Sequence, residues 1–286
     1  MLRDAGRPLV AAALSLCLMA PQRSAADTAP LWEFGLGPGV VLYNNYPGSA
    51  ITHVYPVPVP YLLYRGTFLR SDRDGVRGIL LEQPAVTIDF SAAGSVPVNS
   101  RDDPARVGMP NLSTTAEIGP SFDWHVWRSA DQQIRIDLRA PIRAAFTVNS
   151  SPQSIGWYAS PNINVDMLNV AGQTGWNLGM LAGPLFASRN YDQYFYSVAP
   201  QFATSERPAY SAAGGYSGAE FTAALSKRYP KFWIGAYARY QSLAHASFAN
   251  SPLVQRDGDF SAGLGFAWII GRSSRMVETD RAPVEP

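Results

Sequence analysis

Residues 132–146 read QQIRIDLRAPIRAAF and carry the cleanest periodicity in the chain. Apolar side chains occupy every even position from Ile134 to Phe146, whereas Arg135, Asp137, Arg139 and Arg143 occupy odd positions. Because successive side chains of a strand point to opposite faces, an extended backbone separates the two sets, and a helix would mix them. Such a long two-faced strand is typical of a transmembrane barrel with lipid outside and water inside. A half-buried strand in a soluble barrel or sandwich is the alternative.

The same alternation recurs along the chain. Between residues 112 and 126 the apolar side chains fall on even positions, and Glu117, Asp123 and His125 fall on odd ones. About twelve strands can be counted in this way, joined alternately by short turns and by longer loops rich in Gly, Pro and Asn. Pro58 and Pro60 make the start of the second strand poor for ladder pairing. The sequence therefore predicts an all-β fold, a single antiparallel transmembrane β-barrel of about 12 strands (about 10–14), with short periplasmic turns and longer external loops.

An export signal is predicted at the N-terminus. Arg3 and Arg7 precede an apolar run over residues 9–20, and small residues then lead to a predicted cleavage between Ala26 and Asp27. The run is too short to cross a bilayer as a helix. We therefore expect three segments, which are a cleaved signal peptide at 1–26, the outer-membrane barrel at 27–270 and a flexible, polar C-terminal tail at 271–286.

Charge and cysteine content exclude several classes of function. The chain carries 23 Lys and Arg against 22 Asp and Glu. The expected signal peptide removes three arginines and one aspartate, which leaves 20 basic and 21 acidic residues. A protein without a basic surplus is not expected to bind nucleic acid. Cys17, the only cysteine, lies in the expected signal peptide, so disulfides, thiolate metal sites and a cysteine nucleophile are not expected in the mature protein.

No pattern in the sequence predicts catalysis, a metal or a cofactor. His53, His125 and His245 lack metal-ligand spacing. Ser121, Asp123 and His125 share one strand face, but steps of about 7 Å along a strand are too long for a nucleophile to reach its base. We therefore predict a protein that is not an enzyme. A barrel hydrolase remains an alternative that would require a serine and a histidine to meet across adjacent strands.

Polar residues on the predicted inner face are the candidate functional residues. They could form an ion-pair network that fills a narrow lumen, or they could line a polar passage or a ligand pocket. Opposite charges interleave along the strands and no face carries one sign, which favours the network. The lumen-facing candidates are Asp89, Glu117, Asp123, His125, Arg135, Asp137, Arg139 and Arg143.

Nine short segments, in order along the chain, resemble those of one protein family. They are Trp32 to Gly37 (WEFGLG), Asn45 to Gly48 (NYPG), Pro60-Tyr61 with Tyr64 to Gly66, Arg106 to Leu112 (RVGMPNL), Glu117 to Pro120 (EIGP), Asp137 to Arg139 (DLR), Tyr194 to Val198 (YFYSV), Arg207 to Tyr210 (RPAY) and Gly214 to Tyr216 (GGY). Each segment alone is unspecific, but the ordered set is specific and covers nearly all of the expected mature chain. The sequence thus resembles the MipA/OmpV family, the MltA-interacting outer-membrane proteins.

This resemblance implies a barrel in the outer membrane, in contact with its lipid. It also implies a scaffold that brings a lytic transglycosylase together with a murein synthase, although members have also been linked to adhesion and to antibiotic or osmotic responses. The chain departs from the family after Ile270, where a polar tail replaces a terminal aromatic residue. We therefore predict a scaffolding role in envelope and murein maintenance, with a small-solute channel or ligand-binding barrel as the alternative.

Overall fold

A computed structural model describes residues 28–72 and 75–278. The expected signal peptide and its cleavage site at Ala26 and Asp27 lie outside the described residues, as does the end of the chain from residue 279. The first half of the chain contains β1 (Thr28–Pro30), β2 (Trp32–Asn44), β3 (Thr52–Arg65), β4 (Leu69–Asp72), β5 (Gly75–Glu82), β6 (Val86–Ser95), β7 (Thr115–Arg128) and β8 (Ile134–Thr147).

The second half adds one short helix to further strands. Its elements are β9 (Ser154–Ala159), β10 (Asn162–Met167), β11 (Trp176–Ala187), α1 (Arg189–Tyr196), β12 (Gly215–Arg228), β13 (Phe232–Ser242), β14 (Gly258–Arg272) and β15 (Met276–Glu278). Single turns of 3₁₀ helix occur at Ser100–Asp102, Val170–Gly172 and Pro200–Phe202. Among the described residues, no helix has the length and the apolar character needed to span a membrane.

The strands close into one antiparallel barrel of twelve strands, which confirms the predicted fold class. Neighbours along the chain pair with each other, and β14 returns to pair with β2. β9 and β10 act as one strand that is interrupted at Ser160 and Pro161, because both pair with β8 on one side and with β11 on the other. Closure removes most of the free edges at which an open sheet would aggregate.

The barrel is apolar outside and polar inside. On β8, Ile142 is 54% exposed on the outer face, whereas Asp137 is fully buried on the inner one. Many large apolar residues are exposed on the other strands, among them Phe34, Leu36, Leu62, Ile118, Phe122, Trp124, Ile163, Phe221, Leu264, Trp268 and Ile270. A water-soluble domain rarely exposes so extensive an apolar surface.

The two ends of the barrel differ in their connections. The end that holds β1 and β15, which we call the terminal end, has short connections at 66–68, 83–85, 129–133, 168–175 and 229–231. Long connections at 96–114, 188–214 and 243–257, together with the shorter ones at 45–51 and 148–153, meet at the opposite end. We call this assembly of connections and α1 the cap.

The expected flexible tail is ordered over its first part. β14 continues to Arg272, two residues beyond the predicted boundary, and Met276–Glu278 pairs with Thr28–Pro30 as a small antiparallel sheet. Backbone hydrogen bonds from Leu31 N to Arg275 O and from Ser273 N to Trp32 O hold the two ends of the chain together. This contact joins residues from opposite ends of the sequence, so no local sequence pattern reveals it.

Candidate functional site

A network of ion pairs crosses the inner wall of the barrel. Arg135 Nε lies 2.8 Å from Asp137 Oδ2, and Arg135 Nη2 lies 2.7 Å from Asp166 Oδ2. Arg139 continues the network, with Nη2 at 3.4 Å from Asp137 and Nε at 3.7 Å from Asp123. Alternation places these side chains on one face of β7, β8 and β10, and the strand register then aligns opposite charges.

The network extends to β5 and β6 through Arg77. Its Nη1 atom lies 3.2 Å from Asp89 Oδ2 and 4.0 Å from Asp123 Oδ2. Three guanidiniums thus meet four carboxylates in what we call the lumen network, which consists of Arg77, Asp89, Asp123, Arg135, Asp137, Arg139 and Asp166. Desolvation offsets much of the attraction within such buried ion pairs, but the loss of one partner leaves a buried charge that is costly.

The predicted candidates divide between this network and two other contacts. Asp89, Asp123, Arg135, Asp137 and Arg139 belong to the network, and His125 Nδ1 lies 2.8 Å from Asp137 Oδ1. Glu117 instead accepts a hydrogen bond from Tyr191 of α1 at 2.7 Å, and Arg143 Nε donates to Ser91 Oγ at 2.9 Å. Sequence reasoning missed Arg77 and Asp166, although Asp166 lies on the polar face of an alternating stretch.

A second charged cluster lies near the terminal end. The fully buried Glu33 faces Arg228 Nε at 2.8 Å and Arg65 Nη1 at 3.6 Å, while the Tyr61 hydroxyl donates to it at 3.4 Å. Two guanidiniums against one carboxylate leave this cluster with a positive charge. The partners of Glu33 lie far away in the chain, so no local sequence pattern indicates this cluster.

A cavity of about 1840 Å³ lies inside the barrel and extends to the terminal end. Its described walls combine both charged clusters with β1, β15 and the turns near residues 83, 168 and 230. Eight arginines and five acidic residues line it, so the walls carry positive charge. No described residue of the cap takes part in the lining.

The cap has a hydrophobic core of its own. Tyr196 of α1 stacks on Phe248 with 3.7 Å between ring centroids, and Leu243, Leu253 and Val198 are buried beside them. Four of the nine segments that carry the family resemblance meet here, at residues 45–48, 106–112, 194–198 and 207–210. The apolar residues of these stretches follow no helix or strand period, so the sequence pattern does not reveal that they pack together.

Two arginines tie the cap connections together. The buried Arg106 donates from Nη1 to the Phe195 carbonyl at 3.1 Å and from Nη2 to the Pro110 carbonyl at 3.2 Å. Arg207 donates to the carbonyls of Phe202, Ala105 and Val107 at 2.7 to 3.0 Å. Burial lowers the pKa of Arg106, and burial raises the pKa of Tyr46, whose ring lies beneath the Arg106 guanidinium.

Two buried carboxylates complete the cap. Asp103 Oδ2 accepts hydrogen bonds from Ser49 Oγ at 2.7 Å and Asn45 Nδ2 at 2.9 Å, which joins connection 96–114 to connection 45–51. Among the described residues, Asp192 of α1 accepts side-chain hydrogen bonds from the hydroxyls of Ser217 and Ser247, at 3.3 to 3.4 Å. Because burial is poorly compensated here, the pKa of Asp192 rises to about 7.

The described residues contain no cluster of three or more His, Cys, Asp or Glu that could hold a metal ion. One arrangement resembles a hydrolytic triad, since Thr87 Oγ1 lies 3.0 Å from His125 Nε2 and His125 Nδ1 lies 2.8 Å from Asp137. Thr87 is only 4% exposed, however, and Asp137 is already paired with two arginines. Thr87 and His125 are thus joined to the lumen network through Asp137.

One comparison with known proteins identifies a family. The family model described as MltA-interacting protein MipA matches residues 36–270, from the middle of β2 almost to the end of β14, and so spans the barrel and the cap. No curated protein matches the chain significantly.

Proposed function

Because this chain belongs to the MltA-interacting protein MipA family, we propose that it is an outer-membrane β-barrel that acts as a scaffold in murein maintenance. The observation that carries this proposal is the combination of an apolar outer surface with a barrel that is capped at one end. The outer surface suits lipid, and the cap suits a binding protein better than a pore. The proposed partners are a lytic transglycosylase and a murein synthase.

The lengths of the connections support one orientation in the membrane. Outer-membrane barrels have short turns in the periplasm and long loops outside the cell. By this rule the terminal end faces the periplasm, where murein lies, and the cap faces the exterior. The ordered sheet of β1 and β15 and the mouth of the cavity then lie on the side where a murein enzyme can reach them.

Photocrosslinking tests both the partner and the orientation. Ala130, in the turn between β7 and β8, and Ala203, in the cap, are both exposed alanines. Each is replaced by cysteine on a Cys17→Ser background and labelled with a photoreactive maleimide in lipid nanodiscs. A purified lytic transglycosylase of the MltA type is then added. We expect a crosslink from Ala130→Cys and none from Ala203→Cys. Crosslinks from the cap position, or from neither position, would contradict the proposal.

The channel alternative is supported by the positively charged cavity. A continuous pore also requires an opening at the other end, where the core of the cap is packed around Tyr196 and Phe248. We therefore expect no steady conductance in planar bilayers. A variant that lacks residues 200–210 removes part of the cap and serves as the positive control. Reproducible openings of the intact protein would favour the channel.

The hydrolase alternative is supported by the contacts of Thr87, His125 and Asp137. A base must be free to take up a proton, and its carboxylate must then stabilise the imidazolium. Here the carboxylate is shared with Arg135 and Arg139. We expect no hydrolysis of acyl esters or phospholipids by the purified protein. Turnover that is abolished by Thr87→Val would overturn this interpretation.

A further inference from the structure

The barrel wall has a gap beside β3. β3 pairs with β2 along its whole length, whereas its other edge pairs, among the described residues, with β4 at Tyr64 and Arg65. β6 pairs with β5 as far as Ser91, and beyond that residue only with β7. Among the described residues, no strand pairs with residues 52–61 of β3 on the edge that faces away from β2. We call this gap the lateral window.

The boundaries of the lateral window follow from its neighbours. The short hairpin of β4 and β5 closes it towards the terminal end. Towards the cap, the hydrogen bonds of Asp103 with Ser49 and Asn45 join the two connections that flank it. The window therefore lies in the part of the wall that is surrounded by lipid in the proposed membrane setting.

Three prolines protect the edge of β3 from other strands. Pro56, Pro58 and Pro60 alternate along it, so all three nitrogens point to the same edge. The ladder to β2 runs without interruption past all three, and it needs N–H donors, so the prolines face the window. A proline-lined edge cannot accept a further strand, which makes a β-strand partner or a second copy unsuitable as the occupant.

The inner wall next to the window is apolar, unlike the part of the wall that carries the lumen network. Val57 and Val59 of β3 and Val41 of β2 line the cavity there, together with Tyr61 and Tyr237. Tyr237 remains 37% exposed inside the barrel. The interiors of transmembrane barrels are normally polar. An apolar strip on the inner wall that is continuous with the lipid-facing surface through the lateral window therefore suits an acyl chain.

The charges further inside suit an anionic head group. Arg77 and the pair of Arg65 and Arg228 lie on the walls of the same cavity, in which arginines outnumber acidic residues. Guanidiniums bind phosphate oxygens in a bidentate manner. The cavity of about 1840 Å³ also exceeds the roughly 300–1,000 Å³ that is usual for small-molecule pockets.

We propose that the lateral window admits an anionic phospholipid from the surrounding membrane, with its acyl chain against Val57 and Val59 and its head group towards the arginines of the cavity. This inference depends on the membrane location proposed above. It adds a lipid ligand to a scaffold, and it predicts that the occupant is lipid and not protein.

Quenching by brominated lipids tests the inference. Three variants on a Cys17→Ser background carry a fluorophore at one cysteine each, and are compared in vesicles of phosphatidylglycerol with or without bromine on the acyl chains. Val40→Cys places the fluorophore on the outer face of β2. Val59→Cys places it at the window, and Ser226→Cys places it on the inner face of β12, far from the window. The shift of band position on heating in SDS gels verifies folding.

We expect strong quenching at Val40→Cys and Val59→Cys and little at Ser226→Cys, with weaker quenching at Val59→Cys when zwitterionic phosphatidylcholine replaces phosphatidylglycerol. Quenching at Val40→Cys alone would overturn the lipid site but leave the membrane location standing. Absence of quenching at Val40→Cys would overturn the membrane location itself. Equal quenching at all three positions would overturn a window-specific entry, and equal quenching by both lipids at Val59→Cys would overturn the anionic preference.

Discussion

Arg135 on β8 and Asp166 on β10 lie directly opposite each other in the ladder, and their side chains meet inside the barrel with 2.7 Å between Nη2 and Oδ2. Both side chains are over 90% buried. Removal of one partner from a buried pair leaves an uncompensated charge. We therefore expect Arg135→Met to lower the free energy of unfolding by about 3–5 kcal/mol, measured by urea titration of the refolded barrel.

The control for this prediction is an exposed ion pair. Arg70 contacts both oxygens of Glu82 at 2.6 Å, but the two side chains are 30% and 46% exposed. Arg70→Met is expected to cost less than about 1 kcal/mol. The double variant Arg135→Met/Asp166→Leu should regain part of the loss. Equal effects of the two single variants would contradict a buried lumen network.

The outer face of β8 offers a test of the surrounding medium. Ile142 in the middle of the strand and Val148 just beyond its end are both 54% exposed. In water, arginine at either position would be tolerated equally. In a bilayer, Ile142→Arg is expected to cost about 2–4 kcal/mol and Val148→Arg about 0–1 kcal/mol. Folding titrations into lipid vesicles measure both values, and equal costs would argue for a soluble barrel.

The stability of the cap should depend on pH through Asp192. Its folded pKa of about 7 exceeds that of an unfolded aspartate, so the folded state holds the proton more tightly. Stability is therefore full below about pH 4, falls as the pH rises towards 7 by up to about 1.4 kcal/mol per pH unit, and is constant above that. The phenol of Tyr196 stays protonated throughout, because burial raises its pKa well above the usual value.

Hydrogen exchange of the α1 amides at pH 5 and pH 8, corrected for the intrinsic rate, measures this effect. We expect faster corrected exchange at pH 8. Asp192→Asn removes the titrating group and should make the corrected rates equal at both values. A pH dependence that persists in Asp192→Asn would assign it to another group.

Arg106 should be essential to the cap but not to the barrel. Arg106→Ala removes the side-chain donor to the Phe195 carbonyl and one of the two donors to the Pro110 carbonyl, which keeps the Ser100 hydroxyl, at a cost of about 1–3 kcal/mol. Limited proteolysis should then cleave connections 96–114 and 188–214 faster, while the strands remain protected. Arg101→Ala, in the same connection but exposed, is the matched control. Similar cleavage of both variants would contradict the role of Arg106.

The two-faced strands could be predicted from sequence because their pattern is local. The odd positions of β8, among them Arg135, Asp137 and Arg139, point into the barrel, and the short connection at 129–133 joins β8 to its antiparallel neighbour β7. Pro58 and Pro60 were interpreted as poor for pairing. In the structure, pairing is interrupted at only one edge of β3, because the ladder to β2 is continuous. The length of the β4–β5 hairpin, which lies beside the other edge, determines how much of that edge is paired.

The cap and the second charged cluster could not be predicted. Arg106 and Phe195 lie 89 positions apart, and Arg207 and Ala105 lie 102 positions apart. Their segments have no period that would bring them together. The contact between Glu33 and Arg228 joins β2 to β12. Both depend on closure of the barrel, which a single sequence does not encode in any local pattern.

The central claim is that the apolar face of each long strand contacts hydrocarbon and the polar face contacts the lumen. Spin labels are placed one at a time at residues 134–147 of β8, and at Val148 beyond its end as a reference, in lipid vesicles. Collision rates with oxygen, which concentrates in lipid, and with a water-soluble nickel chelate then test the claim most directly. We predict strong oxygen collisions at the even positions and weak ones at the odd positions. Even positions as accessible to the nickel chelate as Val148 would contradict the account.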